Sequence, residues 1–238
     1  MNEETKTGDL GVLKAAAQLL TFCLTREEFQ RFNYRHLIFG LVSTWIVGMG
    51  RWWDDPGASL LQHLGVGSLI YIFILSFILW LGIYPLKPKH WSYRHVLTFV
   101  TMTSPPAILY AIPVEKFFAL EVASSINLLF LLIVASWRVA LLVHYLKRHA
   151  QLRSFPVAVS TLLPITAIIL TLTILNLERA AFMSMGGFRG EPTSHDSAYG
   201  LLSWLSLLSV LLFIPLVLFY IGLIVQAQQS VDYDDGDS

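Results

Sequence analysis

Residues 64–86 contain no Asp, Glu, Lys, Arg or His. A helix needs about 20 apolar residues to cross a bilayer, and this run supplies them. It closes on Lys87-Pro88-Lys89, where proline removes a backbone donor and the lysines hold the end among headgroups. A helix that is apolar all round has no solvated face and belongs in a large core or a membrane. The chain of 238 residues is too short for many such cores. It is 55% hydrophobic and only 13% charged, with a mean hydropathy of +0.62. Soluble domains carry about 25% charged residues, so a soluble fold of this length could not cover itself. The expected fold is an all-α polytopic transmembrane helix bundle.

Hydropathy and punctuation divide the chain into about six expected spans, at residues 36–50, 64–86, 91–113, within 117–146, 155–177 and 201–226. Residues 1–35 form a cytoplasmic segment. Over 9–24, Leu13, Ala17, Leu20 and Leu24 recur at helical spacing, with Lys14 and Gln18 off the stripe. That pattern predicts an amphipathic helix lying in the interface. Thr25-Arg26-Glu27-Glu28 has the form of a capping box and starts a new helix. Asp54-Asp55-Pro56-Gly57 reads as a turn. Residues 227–238 are acidic and poor in apolar side chains, which predicts a disordered tail. No small-residue cleavage site follows the first short apolar stretch, so no cleavable signal peptide is expected.

The third span is interrupted. Thr101-Met102-Thr103-Ser104-Pro105-Pro106 puts two prolines at mid-depth, freeing carbonyls one turn back. In a dry medium something must satisfy them, and the neighbouring hydroxyls are the expected partners.

Basic residues set the orientation. Lys6, Lys14, Arg26, Arg31 and Arg35 precede the first span, Lys87, Lys89 and Arg94 follow the second, and Lys147, Arg148 and Arg153 follow the fourth. With six spans all three clusters fall on one side. The positive-inside rule makes that side cytoplasmic, with both termini there, in a membrane of the bacterial cytoplasmic type.

Two groups of candidate site residues emerge. Thr101, Thr103 and Ser104 at the break, with Glu121, Asn127 and Arg138 in the fourth span, could line a polar midplane site. The bland readings are a packing kink for the prolines, an interhelical hydrogen bond for Asn127, and a headgroup or helix-end contact for Arg138. Asp54, Asp55, His63, Glu178, His195 and Asp196 gather on the expected outer face. They are of the types that build acid–base or metal sites, but their spacing matches no motif, and solvated acids on an outer loop are ordinary. Trp52, Trp53, Trp91 and Trp204 fit an interfacial belt. The single cysteine, Cys23, excludes an intrachain disulfide. No Walker loop, HExxH, GxSxG or dinucleotide fingerprint occurs. No cofactor or metal is expected, and no basic face broad enough for nucleic acid is present.

From residue 64 to 226 the layout resembles the Yip-domain family of Rab-interacting multi-span proteins and their bacterial relatives. The segment carrying the resemblance is Thr103-Ser104-Pro105-Pro106-Ala107-Ile108-Leu109-Tyr110-Ala111-Ile112-Pro113, a proline-interrupted span with a short exit. The extra first span departs from that layout, and the family's acidic and Tyr-Gly features near the N-terminus are missing. The resemblance implies a role in membrane organisation or trafficking and transfers no binding residues. The expected function is a non-catalytic scaffold or assembly factor whose partners are the lipid bilayer and other membrane proteins or further copies of itself. The alternatives are a small transporter or channel subunit using the midplane residues, and a membrane-embedded enzyme using the outer-face acids.

Overall fold

The structure is a computed structural model that describes residues 4–50, 60–175 and 197–236. Among these, every regular element is helical. Four helices are long and apolar enough to cross a membrane, at Val66–Leu86, Ser125–Arg148, Ser154–Ile174 and Ser203–Gln229. Their outward side chains are apolar, as at Ile74, Leu129, Ile168 and Leu208, each about half exposed. Water would penalise such a surface and lipid does not. The chain is a multi-pass integral membrane protein. The expected spans at 36–50 and 91–113 are not among the four. The first is a helix of 16 residues and the second is split.

The helices fall into two units. The first comprises α1 (Glu4–Leu20), α2 (Arg26–Gln30), α3 (Tyr34–Met49), α4 (Leu60–His63), most of α5 (Val66–Ile83), α6 (Tyr93–Met102), a 3-10 turn (Pro105–Ala111), and the second half of α7 (Leu120–Arg148).

Inside this unit α3 runs parallel to α6 and the turn that follows it. Arg94 lies over the Tyr34 ring, 5.4 Å from its centroid. Further along, Gly40 faces Thr101, Thr44 bonds Ser104, and Gly50 meets Ala111. The numbering advances together in both strands of contacts. The α3 helix, 16 residues long, is about 24 Å long at 1.5 Å per residue. Ten residues of α6 and seven of the 3-10 turn reach about 29 Å, close to the roughly 30 Å of a hydrocarbon core.

The other two long elements run the opposite way. The Trp45 indole donates to Leu64 O at the start of α5, and the Trp91 indole to Trp80 O near its end. Tyr145 of α7 stacks on Phe99 of α6 at 4.1 Å, and the Lys89 amide donates to Ala150 O.

Against the rest of the unit, α1 turns a face offset from the expected stripe. Val12, Ala15, Ala16 and Leu19 are buried, while Leu13 and Ala17 are exposed and Leu20 is half-buried. One residue is a rotation of about 100° on a helix, so small Ala15 and Ala16 pack inward in place of Leu13. Leu24 is buried as expected. The capping box is complete: the Glu28 amide donates to Thr25 Oγ1, and the Thr25 amide donates to the Glu28 carboxylate.

The second unit holds the short turn Tyr84–Leu86, the first half of α7, α8 (Ser154–Ile174) and α9 (Ser197–Gly236). Helices α8 and α9 form an antiparallel pair. Phe155 meets Phe219 edge-on at 5.4 Å, and at the other end Thr173 Oγ1 donates to Ser206 Oγ at 2.8 Å. Pro164 and Pro215 lie inside these helices, where the sequence places them. The last helix continues past Gln226 to Gly236, through the segment expected to be a disordered tail.

Candidate functional site at the broken span

Pro105 and Pro106 lack the N–H groups that would have bonded the carbonyls of Thr101 and Met102. The chain responds by tightening to 3-10 geometry. The Ser104 amide donates to Thr101 O at 3.1 Å and the Ala107 amide to Ser104 O at 2.9 Å. Thr103 O, left at the end of α6, accepts from Arg138 Nε at 3.2 Å. Arg138 Nη2 donates to Ser104 Oγ at 3.3 Å. Ser104 Oγ in turn pairs with Thr44 Oγ1 at 2.7 Å, and the Thr44 hydroxyl also reaches Gly40 O. One guanidinium thus bridges α7, the break in the third element and, through Ser104, α3.

The remaining hydroxyls turn back on their own helix. Thr101 Oγ1 donates to Thr98 O and Thr103 Oγ1 to Val100 O. Thr101 is fully buried, and Ser104, Thr44 and Thr103 are nearly so. Close approach of α3 makes this enclosure possible. A methyl at Gly40 would collide with the Thr101 side chain, and one at Gly48 with Ser68.

The expected midplane group is therefore assembled in part. Thr101, Thr103, Ser104 and Arg138 meet in the first unit. Arg138 does not take the headgroup or helix-end contact expected of it, because the break offers an unsatisfied carbonyl at its own depth. Asn127 is half-buried on the part of α7 assigned to the second unit. Glu121 lies in the first turn of α7, and its side chain is outside the described residues. Of the outer-face acids and histidines, His63 ends α4 and is half-buried. Asp54, Asp55, Glu178, His195 and Asp196 lie outside the described residues. Among the described residues no group of three or more His, Cys, Asp or Glu could hold a metal ion.

Comparison with known protein families, with curated proteins and with solved structures finds no match for this chain. The reading of the site rests on its chemistry alone. The buried Arg138 is held by one hydroxyl and one carbonyl, which joins α7 to the break.

A second cluster escaped the sequence reading. Phe29 of α2 is buried between Tyr145 at 5.1 Å and His149 at 4.7 Å, with His95 at 5.9 Å. These residues come from three separate stretches of sequence. The sequence signals were the capping box, which starts the helix, and the apolar side that Phe29 and Phe32 give it.

Proposed function

We propose that this protein is a non-catalytic scaffold or assembly factor of the membrane, acting through helix–helix and lipid contacts. The observation that carries this reading is the closed hydrogen bonding at the break. The hydroxyls of Thr101 and Thr103 return to backbone carbonyls, and Arg138 is held by Thr103 O and Ser104 Oγ. A translocation site needs polar groups left free to exchange partners with a passing solute.

The proposal includes six crossings, with α3 and the α6–turn element spanning beside the four long helices. Their parallel contacts and lengths of about 24 and 29 Å support it. It also places the basic end of the first unit on the cytoplasmic side. Arg26, Lys89 and the stretch around His149 converge there, as the positive-inside rule requires of six spans. The Yip-type resemblance belongs to the same proposal. The 3-10 conformation of Pro105–Ala111 fits an interrupted span with a short exit.

One observation favours a second reading, a small transporter or channel subunit: Arg138 is an ionisable group deep in a span, and such groups are functional suspects. Reconstitution separates the two. Liposomes containing the purified chain, loaded with a pH-sensitive or potassium-sensitive dye, should dissipate imposed gradients no faster than empty liposomes. A flux that disappears in Arg138→Leu would replace the scaffold with a transport function.

A further inference from the structure

At the end of the first unit where α2, the turn before α6 and the exit from α7 meet lies a shallow, open-sided concavity whose space, about 280 Å³, is continuous with open solvent. Arg26, Lys89, His90, His95 and His149 line it, and no carboxylate does. Phe29 and Tyr145 supply an apolar floor.

Several buried side-chain nitrogens here lack a hydrogen-bond partner. Arg26 Nε, His95 Nε2 and both ring nitrogens of His149 are buried without a hydrogen bond, and His149 is only 6% exposed. Buried polar atoms are nearly always bonded, so four in one place require a reason. On His95, Nδ1 lies 3.1 Å from Ser92 Oγ. With that hydroxyl hydrogen directed at Nδ1, Nε2 carries the ring proton and is a donor. Arg26 Nε is a donor without alternative.

We propose that this concavity binds one phosphate-type oxyanion. Its anionic oxygens accept hydrogen bonds, which suits a lining with Arg26 and Lys89 and no acid, and its negative charge offsets theirs. Burial, with His144, Arg26 and Arg148 nearby, holds His149 neutral by lowering its pKa to about 4. An anion in contact would reverse that pressure. The span Ser125–Arg148 ends one residue before His149. On the reading that this span crosses a bilayer, the site lies at headgroup level, so the phosphate can come from an anionic lipid or from solution.

The test uses the full chain, labelled with ¹⁵N-histidine, in alkyl maltoside micelles and phosphate-free buffer. The probes are inorganic phosphate and phosphatidylglycerol, with sodium chloride at matched ionic strength as control. His149 signals are assigned by their loss in His149→Gln. The expected result is that a probe shifts the His149 ring resonances toward the protonated form while chloride does not. A shift with phosphatidylglycerol alone identifies a lipid headgroup; a shift with inorganic phosphate identifies a soluble ligand. Arg26→Gln should weaken the response about tenfold or more, the loss of one charge-assisted hydrogen bond. If that variant misfolds, Lys89→Gln, on an exposed turn, takes its place. Resonances unmoved by both probes, or a response undiminished in a folded variant, would overturn the site. Neither result depends on whether the protein carries solute, which the liposome flux decides.

Discussion

Arg138 lies ten residues before the end of α7 at Arg148, which puts it about 15 Å from that end. A lone arginine near a helix centre disfavours insertion by about 2.5–3.5 kcal/mol. The folded protein offsets this with the Thr103 carbonyl and Ser104 hydroxyl. Arg138→Leu should therefore act in opposite directions on two measurements. Insertion of α7, read by glycosylation mapping, should improve. Stability of the folded chain in detergent should fall by about 1–3 kcal/mol, because Thr103 O loses its partner. An equal or higher unfolding temperature in the variant would show that Arg138 does not hold the break. At the other end of α7, His149 has a pKa lowered from 6.5 to about 4, chiefly by burial. Between those values the unfolded chain binds a proton that the folded chain does not. The contribution to stability is complete above pH 6.5 and is lost as pH falls toward about 4. Thermal unfolding at pH 5 and pH 7.5 should show this loss, and His149→Phe should reduce it.

Among the elements, the pairing of α3 with α6 depends on small side chains. Gly40→Ala would drive a methyl into the Thr101 side chain. Overpacking of this kind costs about 1–3 kcal/mol. The loss should appear as a lower unfolding temperature, and adding Thr101→Gly should recover part of it. A neutral Gly40→Ala would mean that the two elements are not in close contact. The long apolar spans, the Thr25–Glu28 capping box and the break at Pro105-Pro106 were legible in the sequence, because each is a local signal of run length, spacing or missing donors. The parallel pairing of α3 and α6 was not read, although Gly40, Thr44 and Gly48 recur every fourth residue, a small-residue spacing that lets helices approach closely. The destination of Arg138 and the cluster around Phe29 and His149 depend on contacts between residues far apart in sequence, which spacing cannot encode.

For the whole molecule, the proposed six-span orientation puts the basic clusters on the cytoplasmic side. Single cysteines in a Cys23→Ala background at Lys89 and Arg148 should react with an impermeant thiol reagent from the cytoplasmic side only. Labelling of either from outside intact cells would reverse the topology. At the break, Arg138 and the hydroxyls of Thr44, Thr101, Thr103 and Ser104 have their partners within the protein, which leaves no role for water there. The most direct test places single cysteines at Thr44, Thr101 and Ser104 in the same background and measures their reaction with a small, water-soluble thiol reagent in native membranes. All three should be protected, and should match the exposed Cys23 of the parent only after denaturation. Rapid reaction at these positions in the folded protein would contradict this and reveal a water-filled path at the break.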